Sequence, residues 1–124
     1  IFSREDPKEL LILGGLGNRS DHLLSNLLVV CKIPQDVKVT FDSRLEWIQR
    51  VTADTPLIIK GQQGATISLL PGSPCVGVSS TGLKWELDYQ DFSFDGNWSQ
   101  SNICSSNEIK ISVHSGNLLV FLQK

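Results

Sequence analysis

Two hydrophobic periods divide the chain. Leu10, Leu11, Ile12 and Leu13 form an unbroken apolar run that ends in glycine, the pattern of a strand buried on both faces of a parallel sheet. From Asp21 the spacing changes. Leu23, Leu24, Leu27, Leu28 and Cys31 recur at intervals of three and four, which predicts an amphipathic helix burying that stripe and stopped by Pro34. Strand and helix together read as half of a β/α unit. Beyond Pro34 the helical period disappears, and short β-type runs at 37–41, 45–51, 57–60, 66–70, 75–78, 83–87, 91–94, 108–114 and 118–123 alternate with Gly, Pro, Asp and Asn. The last two read as a hairpin around Ser115, Gly116 and Asn117. Many short strands without intervening helices predict a mainly β fold, an antiparallel β-sandwich of jelly-roll-like character preceded by a strand-helix remnant of an α/β domain. The boundary falls near Pro34 to Asp36, dividing the chain into residues 1–35 and 36–124.

Composition narrows the partners. The net charge of -2 and scattered Lys and Arg provide no basic field, which argues against nucleic acid. No apolar stretch reaches the length of a bilayer span, and residues 1–6 lack the apolar core of a signal peptide. Cys31, Cys75 and Cys104 are odd in number and widely spaced, so they are read as reduced thiols of a soluble, cytoplasmic protein rather than a disulfide framework or zinc ribbon. The chain holds no Met, so its first residue is read as an internal one.

The junction between the first strand and the helix is unusually rich in chemistry. Gly14, Gly15, Leu16, Gly17, Asn18, Arg19, Ser20, Asp21 and His22 lie between the two apolar segments. One reading is a structural turn in which Ser20 or Asp21 caps the helix. The other is a place for a polyphosphate: Arg19 neutralises phosphate, the helix N-terminus offers free N–H groups, and Asp21 holds a magnesium ion or accepts a proton. The loop is not a complete dinucleotide fingerprint, because Ser20 stands where a third glycine belongs. His22 and His114 are far apart and lack Cys partners at ligand spacing, which suits hydrogen bonding or packing better than a metal. A second stretch, Ser80 to Leu87 followed by Gly96 to Asn102, places Trp85 and Trp98 beside Ser99, Ser101 and Asn102. It reads either as a strand with a polar turn or as a surface that stacks and hydrogen-bonds a flat heterocycle.

The segment from Gly14 to Leu27 resembles the thiamine pyrophosphokinase sequence G-[AG]-x-G-G-R-x-D-H-x-L-A-N, with Asn18 and Ser25 as departures. Thr81 to Leu87 resembles that family's T-x-G-L-K-[WY]-x-L strand, and Ser99 to Asn102 its S-x-S-N turn. The resemblance implies an N-terminal α/β catalytic domain, of which residues 1–35 are the tail, and a thiamine-binding β-sandwich at 36–124. It implies a homodimer with thiamine held between one subunit's catalytic domain and the other's sandwich. The reaction implied moves a pyrophosphoryl group from ATP, as its magnesium complex, to thiamine, giving thiamine diphosphate and AMP. In that scheme Arg19 and Asp21 are catalytic, with Asp21 at the magnesium. Gly15, Gly17, Asn18 and Arg19 meet the nucleotide, and Ser99, Ser101, Asn102, Trp85 and Trp98 meet thiamine. The family's aspartate-rich G-D-x-D-S motif is absent from these residues, so the chain is expected to be inactive alone. The alternative is a non-catalytic β-sandwich module for binding or dimerisation.

Overall fold

The computed structural model describes residues 9–13 and 19–124. Strand β1 (Glu9–Leu13) and helix α1 (Ser20–Val30) precede nine further strands. These are β2 (Lys38–Asp42), β3 (Glu46–Val51), β4 (Leu57–Lys60), β5 (Thr66–Pro71), β6 (Cys75–Thr81), β7 (Gln90–Phe92), β8 (Ser99–Ile103), β9 (Glu108–Ser112) and β10 (Leu118–Gln123). They form a six-stranded sheet, ordered β1-β2-β3-β10-β5-β8, and a four-stranded sheet, ordered β4-β9-β6-β7. Every recorded strand pair is antiparallel except β1 with β2. The mainly β sandwich expected from the strand pattern is therefore the fold.

Two apolar layers hold it together. Between the sheets lie Val51, Ile67, Leu69, Val78, Phe92, Ile109, Ile111, Leu118 and Val120, all buried. On the outer face of the larger sheet, Leu27 and Val30 of α1 pack on Val39, Phe41, Ile48 and Leu119. Each large aliphatic side chain so buried contributes roughly 1.5–3 kcal/mol. Strand β10 feeds both layers: Leu118, Val120 and Leu122 face the sandwich, while Leu119 and Phe121 face the helix. A central strand covered on both sides has no polar face to show, which is why residues 118–122 read as a continuous apolar run.

Five details differ from the sequence expectation. Strands β9 and β10 are not a hairpin: β9 pairs with β4 and β6 in the smaller sheet and β10 with β3 and β5 in the larger, so the turn at 113–117 crosses between the sheets. The β1-α1-β2 segment is a whole parallel unit rather than half of one, with Glu9 opposite Lys38 and Leu13 opposite Asp42. Strand β2 hid this because only its helix-side residues, Val39 and Phe41, join the apolar layer under α1, leaving an alternating pattern. The proposed division after residue 35 thus falls in the turn between α1 and β2, and the sheet runs across it. The helix buries Leu27 and Val30, with Leu23 half-buried, whereas Leu24 and Leu28 are exposed; one helix side meets one flat sheet, too narrow a contact for the whole stripe. Residues 83–87 are a loop, not a strand, and Ser99–Ile103 is a strand, not a turn.

Arg50 ties the helix to the sheet. Its side chain points from β3 to the C-terminal end of α1 and is buried to 1% exposure. Nη1 donates to the carbonyls of Val30 and Ile33 at 2.8 and 2.7 Å, and Nη2 to those of Pro34 and Val37 at 2.7 and 2.8 Å. Carbonyls left over at a helix end carry partial negative charge, and a guanidinium supplies donors in a fixed fork that a single ammonium does not match. Burial lowers the Arg50 pKa from its ordinary value.

Candidate functional site

The loop after β6 is built to present Trp85. Gly82 sits at φ +96°, and a Cβ there would lie 2.6 Å from the Glu108 carbonyl oxygen, so glycine alone fits this bend. Glu86 then folds back. Its carboxylate accepts from Ser80 Oγ at 2.8 Å and from the N–H groups of Gly82 and Leu83 at 2.9 and 3.0 Å. Partial burial pushes the Glu86 pKa up, but the three donors outweigh it and hold the group below the ordinary carboxylate value. Leu83 and Leu87 anchor the loop in the core, and the three residues between them stay exposed.

Asn102 fixes the tip of that loop. Its side chain is 1% exposed, and its Oδ1 accepts from the N–H of Trp85 at 3.1 Å and of Ile103 at 2.8 Å. Nδ2 donates to the Trp85 carbonyl at 2.8 Å and to Ser99 Oγ at 3.0 Å. An amide has two donors and two acceptor positions, so this one is fully used. Asn102, expected to hydrogen-bond a ligand, instead grips the backbone of Trp85 on both sides. The indole is 55% exposed, with Lys84 Nζ 4.6 Å from its ring centre, a cation on one face.

Ser99 and Ser101 lie next to this clamp on β8. Ser99 Oγ accepts the Asn102 bond, which leaves its own proton to donate. Ser101 adopts φ +58°, a rare conformation for a serine, where the β5-β8 register shifts; its N–H donates to Ser68 Oγ at 2.9 Å. Trp98, exposed, immediately precedes the strand. The structure therefore brings Trp85, Ser99 and Asn102 into one hydrogen-bonded group and places Ser101 and Trp98 beside it in sequence on the same sheet edge.

Arg19 and Asp21 form a separate pair. Arg19 donates to Asp21 through Nε at 3.2 Å and Nη2 at 2.7 Å, and Asp21 also accepts from the His22 N–H at 2.9 Å. Arg19 is the residue preceding the helix and makes no side-chain cap, so neither Ser20 nor Asp21 acts as the expected N-cap. Both partners are well exposed, so the ion pair is weak and opens at little cost. A carboxylate such as Asp21 could share a magnesium ion with phosphate oxygens, and a guanidinium such as Arg19 could pair with phosphate. Gly15, Gly17 and Asn18 lie outside the described residues. Among the described residues no hydrogen bond or ion pair joins Arg19 or Asp21 to residues 85–102. Helix α1 lies on the outer face of the larger sheet over β2, β3 and β10, whereas the Trp85 group sits at its β8 edge. Sequence reasoning missed Glu86 and Ser80, whose roles rest on a bend at Gly82 that a strand reading conceals.

Fold and site define a two-sheet sandwich with an aromatic and hydroxyl-bearing edge suited to a flat heterocycle. Residues 56–118 match the family described as thiamin pyrophosphokinase, vitamin B1 binding domain, a range that contains Trp85, Trp98 and Asn102. The chain belongs to this family. It is 30% identical over 116 residues to thiamine pyrophosphokinase 1 of Oryza sativa subsp. japonica, covering 91% of this chain and 44% of that protein. It is 29% identical over 110 residues to thiamine pyrophosphokinase 2 of Arabidopsis thaliana, covering 86% and 41%. The chain thus spans less than half the length of these relatives. Similar folds include thiamine pyrophosphokinase from Bacillus subtilis, with TM-score 0.80, 22% identity and coverage of 95% and 56%. Thiamin pyrophosphokinase from Candida albicans matches with TM-score 0.72, 19% identity and coverage of 93% and 44%.

Proposed function

We propose that this chain is the thiamine-holding part of a thiamine pyrophosphokinase, which transfers a pyrophosphoryl group from ATP to the thiamine hydroxyl. The observation that carries the reading is the Asn102 clamp, which fixes an exposed Trp85 beside the free proton of Ser99. Fixing the backbone that carries an exposed indole lowers the entropy a ligand would otherwise lose on ordering that loop. Thiamine's thiazolium suits the indole face that Lys84 leaves open. Ser99 and Ser101 donate to its aminopyrimidine, and Trp98 closes the side.

The reacting groups belong to the other cluster. Arg19 meets phosphate, and Asp21 sits near the magnesium and the attacking hydroxyl; positioning and charge compensation are most of what such a transfer asks of a protein. The absence of any bond between the two clusters among the described residues supports a site shared across a homodimer, Trp85 and Ser99 from one subunit facing Arg19 and Asp21 of the other. A single carboxylate compensates little of the charge on a polyphosphate, so the 124 residues alone bind thiamine without producing thiamine diphosphate. Isothermal titration of thiamine into the chain tests the binding half: Trp85→Leu abolishes measurable binding and Ser99→Ala weakens it roughly tenfold or less. Unchanged affinity in both variants contradicts the assignment.

A further inference from the structure

A cavity of about 540 Å³ lies against the edge strand β4, lined in part by Trp47, Gln49, Leu57, Ile59, Lys60 and Leu122. It exists because the sheets are unequal: the smaller ends at β4, while the larger continues through β3 to β2 and β1. Its lining shares no residue with the Trp85 group or with Arg19 and Asp21. The volume is within the ordinary range for small-molecule sites.

Its floor holds one polar group that the fold does not satisfy. Gln49 is 1% exposed, and its Oε1 has no hydrogen-bond partner. Thr40, directly opposite across β2 and β3 and therefore on the same face, is 4% exposed with Oγ1 also unpartnered. Buried polar atoms almost always find partners, because leaving them bare costs stability outright. Gln49 Oε1, such an exception at the base of a cavity, points to a partner from outside the chain, with the Thr40 hydroxyl buried next to it in the sheet. The walls are apolar, from Trp47, Leu57, Ile59 and Leu122. The charged lining is three lysines, Lys38, Lys60 and Lys124, against Asp54. Lys38 and Lys124 have exposed acidic neighbours in Glu9 and Asp42, while Lys60 has no ion pair among the described residues.

We propose that this cavity is a second binding site, for a small organic anion with an aromatic or apolar body and one hydrogen-bonding group. The body lies on Trp47 and the aliphatic walls, the polar group meets the Gln49 amide, and the carboxylate or phosphate faces Lys60. The amide offers either donor or acceptor by turning about its last bond.

Indole-3-acetate and AMP, carrying a carboxylate and a phosphate respectively, are titrated into the isotope-labelled chain and followed by amide NMR, with neutral indole-3-acetamide as control. At least one anion shifts the Gln49 side-chain amide and the backbone of residues 57–60 and 122–124, and which one does so identifies the acid. The neutral compound binds at least about tenfold more weakly than indole-3-acetate if the carboxylate is the recognised group. Gln49→Leu weakens the responding anion about tenfold without lowering the melting temperature, since it removes an unsatisfied group, and Lys60→Glu, an exposed change, weakens it as much or more. No shift from either anion at about 10 mM, or shifts that survive both substitutions, overturns the proposal. Arg19→Ala leaves this binding unchanged, which separates it from the nucleotide role assigned above.

Discussion

Replacing Arg50 with methionine tests how α1 is held on the sandwich. The change keeps the aliphatic packing but removes the four short bonds to the carbonyls of Val30, Ile33, Pro34 and Val37. Charge-assisted hydrogen bonds contribute roughly 1.5–3 kcal/mol each, so four would suggest a large gross loss. Against this stands the desolvation of a guanidinium buried to 1% exposure, which methionine does not suffer. Carbonyls stranded without donors also regain some water as the turn at 31–37 loosens. The net is of the order seen when one partner of a buried charged pair is removed, about 3–5 kcal/mol, or some 12–20 °C in Tm for a chain of this size. Urea unfolding with matched m-values measures it, and hydrogen exchange locates it: amides of α1 lose protection ahead of those in β5 and β9. Arg50→Lys falls between the two, because three ammonium donors do not reach four carbonyls. A loss below about 1 kcal/mol in Arg50→Met would refute the account of Arg50 as the helix tether.

Asn102→Ala frees Trp85 from both backbone bonds, so thiamine affinity falls by at least about tenfold although Asn102 itself touches no ligand; indole fluorescence anisotropy drops with it, a change that loss of a direct ligand contact would not produce. If the whole protein carrying this chain has the proposed activity, Asp21→Asn lowers kcat with little effect on the thiamine KM, whereas Arg19→Ala acts through the ATP KM. Mixing Asp21→Asn subunits with Ser99→Trp subunits restores activity in a fraction of heterodimers, and verified heterodimers without activity exclude a shared site. Burial raises the Cys75 pKa from 9.0 to about 12, with nearby Cys31 adding to the rise. The unfolded thiol therefore ionises first, and stability falls as pH rises from about 9 towards 12. A Cys75→Ala variant has a flatter profile over that range, and an unchanged slope contradicts the assignment.

What the sequence showed depended on how local its causes were. The strands at 57–60, 66–70 and 118–123 were legible because burial on one or both faces leaves a direct imprint on residue type. The loop at 83–87 was not, because it is held by a bend at Gly82 and by Glu86 reaching back to Ser80, neither of which alters the apolar spacing. Strand β8 was hidden for the opposite reason: an edge strand whose only buried side chain is polar Asn102 has no hydrophobic pattern to read. Sequence placed Trp85, Ser99 and Asn102 together, but the division of labour among them follows from a four-bond geometry visible only in space. Arg50 gave no signal at all, since a cation satisfied by carbonyls leaves no acidic partner to notice.

The proposed thiamine site lies against Trp85 and the edge of β8. The chain has three tryptophans, Trp47, Trp85 and Trp98, each with one indole N–H whose NMR signal is assigned by single substitution. During a thiamine titration the signals of Trp85 and Trp98 move together along one saturable curve, and that of Trp47, in the separate cavity, stays in place. Movement of Trp47 alone, or saturation of thiamine binding with Trp85 and Trp98 unmoved, contradicts the claim.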